Sequence, residues 1–84
     1  MITIKLLGPI QKAYDSNTIC LDKSNLSISN IISYLRDRAV NPDLIEERNI
    51  LIAVNGIQSS LIPRFEQVIK NGDVVTVASL IHGG

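Results

Sequence analysis

The sequence predicts an α+β domain in which a mixed sheet of four to five strands is crossed on one face by a single main helix. Three observations carry this: apolar residues alternate over residues 2–7, they recur at helical spacing over residues 28–39, and a β-branched run follows Asn71 and Gly72. A period of two puts alternate side chains on one face of a strand, whereas a period of 3.6 gathers them on one face of a helix. At 84 residues the chain is expected to form one domain, residues 1–84.

In residues 2–7, Ile2, Ile4 and Leu6 fall on one face and Thr3 and Lys5 on the other, and Gly8 and Pro9 end this strand. Residues 10–17 read as a polar, turn-like stretch in which Asp15, Ser16 and Asn17 mark a reversal. Thr18 to Asp22 is then the second strand of a hairpin. Ile28, Ile31, Ile32, Leu35 and Ala39 make one apolar stripe on a helix, with Ser27 placed to cap its first amides. Arg36 and Arg38 complement the negative end of the helix dipole, and Asn41 and Pro42 stop the helix.

Residues 43–49 are a polar crossover in which Leu44 and Ile45 are available for a short helical turn. The apolar run 50–54 lacks alternation, as expected of a central strand covered on both faces. Asn55 and Gly56 signal a tight turn into a brief return strand at 57–59, followed by a loop containing Pro63. Phe65, Val68 and Ile69 are expected to pin that loop to the core, and residues 70–73 turn the chain into the final strand. If the last strand lies parallel to the first, the chain between them supplies the long crossover that such pairing requires. That arrangement is a β-grasp.

Apolar residues make up 45% of the chain and the aromatics are only Tyr14, Tyr34 and Phe65, so the core is aliphatic. Eight basic and eight acidic side chains balance without a basic cluster, so nucleic acid is not an expected partner. Cys20 is the single cysteine, which excludes an intramolecular disulfide and leaves no zinc site. It reads as structural or merely exposed, because an activated thiol needs a cationic or helix-terminal setting. The N-terminal apolar residues are broken by Lys5, Gly8 and Pro9, unlike a signal peptide, and no run approaches the ~20 apolar residues of a membrane helix. A cytoplasmic protein is expected. No glycine-rich nucleotide loop, catalytic carboxylate pair or nucleophile with a neighbouring base is present, so neither catalysis by this chain alone nor a bound cofactor or metal is expected.

The sequence closes on Gly83 and Gly84, a few residues after the final strand. Glycines there add nothing to a packed core, but they let an α-carboxylate pass down a channel that side chains would block. The carboxylate, with an intrinsic pKa of about 3.3 to 3.7, is ionised and inert until activated. Adenylation would activate it, after which sulfur attack gives a thiocarboxylate, and transfer through a thiol to an amine gives an amide. Gly84 is the reacting residue in either case and Gly83 a spacer.

The strand order, Ala53-Val54-Asn55-Gly56, Lys70-Asn71-Gly72-Asp73-Val74-Val75 and the closing Gly83-Gly84 resemble the ubiquitin-like sulfur carriers. That family includes the small subunit of molybdopterin synthase (MoaD), the thiamine-pathway carrier (ThiS) and the ubiquitin-related modifiers. The resemblance spans nearly the whole chain. It implies adenylation of Gly84 by a ubiquitin-activating-type adenylyltransferase that consumes ATP, and sulfur supplied by a cysteine desulfurase or rhodanese-like donor. Read from the residues themselves, Leu80, Ile81, His82 and Gly83 are the part threaded and recognised by the partner: Leu80 and Ile81 offer an apolar contact, and His82, the only histidine, reads as a tail contact that helps the activating enzyme grip the end rather than as a proton-transfer group. The length and the long helix-to-strand crossover are more similar to the molybdopterin member, whose large catalytic subunit would then be a partner. The molybdopterin members usually carry a proline pair before the last residues, however, and Ala78-Ser79-Leu80-Ile81-His82-Gly83-Gly84 is more similar to the modifier branch, which thiolates transfer RNA and is attached to lysines. A non-covalent interaction module with an incidental tail is the reading from another class.

Overall fold

The computed structural model describes residues 1–14, 16–39, 50–58 and 68–79. It contains strands β1 (Ile2–Leu7), β2 (Thr18–Leu21), β3 (Leu26–Ser27), β4 (Ile50–Val54), β5 (Ile57–Gln58), β6 (Val68–Ile69) and β7 (Val74–Ser79), and one α-helix, α1 (Ile28–Arg38). Five strands form a sheet in the order β2-β1-β7-β4-β5, and β3 and β6 form a separate two-stranded ladder. β1 and β7 run parallel, whereas β1–β2, β4–β7 and β4–β5 are antiparallel. The last strand therefore lies at the centre of the sheet, beside the first, as the β-grasp arrangement requires.

The alternation in β1 becomes the core directly. Ile2, Ile4 and Leu6 are fully buried, with Val75 and Val77 of β7 and Ile50, Ile52 and Val54 of β4 on the same face. Ile28, Ile31, Ile32 and Leu35 of α1 close over them, joined by Leu21, Ile10 and Ile69. Each such aliphatic side chain contributes about 1.5 to 3 kcal/mol when fully removed from water. The helix starts where Ser27 predicts. Ser27 Oγ accepts from Asn30 N–H at 3.0 Å and Asn30 Oδ1 accepts from Ser27 N–H at 3.0 Å, a reciprocal capping box. It ends at Arg38 with Ala39 as C-cap, and the Arg38 guanidinium stacks 3.8 Å from the centre of the Tyr34 ring.

Several expectations need correction. β4 alternates after all: Leu51 and Ala53 are only half-buried, because α1 covers one face of the sheet and leaves the other open. The stretch after β1 is a 3₁₀ helix, Gly8–Ala13, started by Pro9, and it carries Ile10 into the core. Val68 is 49% exposed and pins nothing; its strand neighbour Ile69 is fully buried. β2 ends at Leu21, one residue before the expected Asp22, and the β3–β6 ladder was not expected from the sequence. The helix stop at Asn41 and Pro42, the short helical turn at Leu44 and Ile45, Ser59, Pro63 and Phe65 lie outside the described residues. Among the described residues, no helix is long and apolar enough to cross a membrane.

Candidate functional site

The chemistry expected of residues 80–84 depends on where β7 delivers them, and both ends of β7 are held by its neighbours. At its start, Asn55 and Gly56 take φ values of 51° and 85°, the paired positive angles that a two-residue hairpin turn needs. This turn holds Asn55 beside Asp73. Asn55 Oδ1 accepts from Val74 N–H at 2.9 Å, Asn55 Nδ2 donates to Asp73 Oδ1 at 3.0 Å, and Asp73 Oδ2 accepts from Lys70 N–H at 2.7 Å. The Lys70 amide, then the Asn55 side chain, holds the Asp73 carboxyl below the usual carboxylate range.

At its end, Ala78 pairs with Leu7 of β1 and Leu51 of β4, and Ser79 pairs with Ile50. Ser79 shares the helix-facing side with Val75 and Val77, where a hydroxyl needs a partner. The 3₁₀ helix supplies one: Ile10 N–H donates to Ser79 Oγ at 2.9 Å across 69 residues of sequence. Close approach of the two segments depends on Gly8, which has φ +79°; a β-carbon there would lie 3.3 Å from Ser79 Oγ and 3.5 Å from Ser79 O. Gln11 Nε2 donates to Leu6 O at 3.0 Å and fastens the same corner to β1.

Among the described residues no helix lies on the opposite face of the sheet, and at the Ser79 end of β7 the side chains of that face are apolar. Leu7 is 50% exposed and lies in register with half-buried Ala78 and Leu51. The adjoining row contains exposed Lys5 and Thr18 with half-buried Thr76 and Ala53. An exposed apolar strip flanked by polar residues suits a surface that meets another protein.

Every residue expected in the reacting segment, Leu80, Ile81, His82, Gly83 and Gly84, lies outside the described residues. What the fold supplies is the base of that segment. Five residues span at most about 18 Å when fully extended, so an activating site has to approach Ser79 within that distance. Cys20 is exposed on β2, level with Thr3 and Val74 at the other end of the sheet. A polar surface cleft of about 230 Å³, lined by Met1, Asp22, Lys23, Ser24 and Asn71, is also at that end. Among the described residues, no three histidine, cysteine, aspartate or glutamate side chains converge as metal ligands.

Sequence reasoning missed Ser79, Gly8, Ile10 and the Leu7–Ala78–Leu51 row. A single long-range hydrogen bond leaves no periodic trace. The signals available in the sequence are the serine at a core-phase position of the final strand and the glycine-proline pair, which by type marks only a strand end.

No family model matches the sequence, and no curated protein matches it. Solved structures do match the fold along almost its whole length. Urm1 from Trypanosoma brucei superposes with a TM-score of 0.78 at 23% identity, covering 99% of this chain and 94% of that one. The small archaeal modifier protein 1 from Methanosarcina acetivorans gives 0.77 at 17% identity, covering 99% and 95%. A chain of the complex of subunits 1 and 2 of molybdopterin-converting factor from Helicobacter pylori gives 0.65 at 18% identity, covering 99% and 97%. The fold is the ubiquitin-like β-grasp. The proteins that share it here belong to the modifier and molybdopterin groups that the sequence resembles.

Proposed function

We propose that this chain is a ubiquitin-like sulfur carrier that presents the Gly84 carboxylate to a separate activating enzyme and carries sulfur away as a thiocarboxylate. The observation that carries the reading is the central position of β7, in which Ala78 is paired on both sides and Ser79 with Ile50; in the sequence residues 80–84 follow it directly and close on Gly83 and Gly84. The β-grasp likeness to modifier and molybdopterin-converting proteins supports it.

In this reading a carboxylate oxygen of Gly84 attacks the α-phosphorus of ATP, which is bound by a ubiquitin-activating-type adenylyltransferase. The bond from that phosphorus to the bridging oxygen breaks and pyrophosphate leaves. The terminal sulfur of a persulfide, held by a cysteine desulfurase or rhodanese-like donor, attacks the acyl carbon and expels AMP. A thiol then cleaves the acyl disulfide, freeing the thiocarboxylate and leaving a disulfide on the donor side. Gly83, His82, Ile81 and Leu80 thread the partner's channel, and the Leu7–Ala78–Leu51 row docks beside it. The chemistry needs ATP and reduced thiols, which places it in the cytoplasm.

The sulfur goes to molybdopterin formation in the large catalytic subunit of the synthase, a destination supported by the two-subunit Helicobacter pylori complex that shares the fold. A second reading, transfer-RNA thiolation and conjugation to lysines through Gly84, is favoured by the His82-Gly83-Gly84 ending without a proline pair and by the likeness to Urm1 and the archaeal modifier. ATP–pyrophosphate exchange with the activating enzyme of the same genome tests the common step. The full chain is expected to support exchange, and a chain lacking Gly83 and Gly84 to support none. Exchange that survives the deletion overturns both readings in favour of a plain interaction module. Lysines bearing a Gly83-Gly84 remnant in cell extracts would select the second reading over the first.

A further inference from the structure

We propose that Ser79, held by the Gly8–Ile10 corner, is a positioning residue that fixes where the reacting segment leaves the body of the protein; this rests on the carrier reading above. Ser79 is the last residue of β7, the central strand. A strand end ordinarily frays, because its final residues lack neighbours on one side. Here the end is held from three directions. Leu7 pairs with Ala78, Ile50 pairs with Ser79, and the Ile10 amide donates to Ser79 Oγ at 2.9 Å.

The third restraint differs in kind from the other two. It comes from outside the sheet and it acts through a side chain, so it fixes the rotation of residue 79 as well as its register. The corner is anchored for that purpose: Ile10 is fully buried, Gln11 is bonded to Leu6 O, and Gly8 lets the backbone approach to a distance at which a β-carbon would already be tight. Gly84 can lie no farther than about 18 Å from Ser79. The volume its carboxylate samples is therefore set by how firmly the heading of the chain at Ser79 is held. Loosening that heading spreads the carboxylate over a larger volume and lowers its effective concentration at the α-phosphorus of ATP. Docking through the outward face of the sheet is unchanged, since Leu7, Ala78 and Leu51 point away from the Ser79 hydroxyl by strand alternation.

Ser79→Ala removes the acceptor and Ser79→Thr keeps it. ATP–pyrophosphate exchange with the activating enzyme, measured below the melting temperature of each variant, separates the outcomes. The expected result is a fall in kcat of roughly tenfold for Ser79→Ala with KM unchanged, recovery of kcat in Ser79→Thr, and a loss in Gly8→Ala, whose added methyl crowds the same hydroxyl. A purely structural serine would lower the melting temperature and leave kcat alone, and that result overturns the proposal while the carrier reading stands. Absence of exchange by the wild-type chain overturns the carrier reading and the positioning role with it.

Discussion

Asp73 carries more of the turn than its exposure implies. Its two oxygens accept from the Lys70 amide and the Asn55 side chain, so the ionised form is the one the fold favours and its pKa lies below the ordinary value. A group with a depressed folded pKa adds stability above its unfolded pKa, about 3.9 for aspartate, and that stability is lost as the pH falls through the lower, folded value. Asp73→Ala is therefore expected to be less stable than wild type at neutral pH, by a margin that narrows as acid protonates Asp73. Denaturant titrations across this range check the sign, and a margin independent of pH would show that the charge is irrelevant. The glycine-aspartate turn was legible in the sequence because Asn71, Gly72 and Asp73 are turn formers by type. The Asn55 contact was not, since it joins residues 18 apart.

Among the elements, those with a strong period were the readable ones. β1 and α1 lie where alternation and helical spacing put them, because each buries one face against the other. The two-residue strands β3 and β6 are too short to show a period, and they are defined only by pairing with each other. The 3₁₀ helix reads as a turn in the sequence because six residues opened by Gly8 and Pro9 are too few to show a period, even though they carry the buried Ile10. Tyr14, at the C-cap of that helix, links it to α1. The Ala39 amide bonds Arg36 O at 3.3 Å, which leaves Leu35 O to accept from the Tyr14 hydroxyl. Burial, and secondarily the nearby Tyr34, pushes ionisation of that hydroxyl above the usual tyrosine range, so it remains a donor at neutral pH. Tyr14→Phe should cost about 1 kcal/mol, read as a lower denaturation midpoint with an unchanged denaturant slope. An unchanged midpoint would mean that water replaces the hydroxyl without loss.

For the molecule as a whole, the described core and the proposed chemistry lie in separate segments. Among the described residues the buried ones lie between Ile2 and Val77, whereas the residues proposed to react are Gly83 and Gly84. Removing these two glycines should leave the melting temperature essentially unchanged, because they carry no side-chain area to bury. A marked fall would show that they belong to the folded core. The sequence made the diglycine visible as chemistry, but the docking row and the Ser79 clasp emerged only once β1, β4 and β7 were brought into register. The most direct measurement of the central claim is the intact mass of the chain after incubation with the activating enzyme, ATP and a persulfide donor. The account predicts one oxygen replaced by sulfur, localised to Gly84 and absent without ATP; an unchanged mass under conditions where the enzyme is active on an accepted carrier would contradict it.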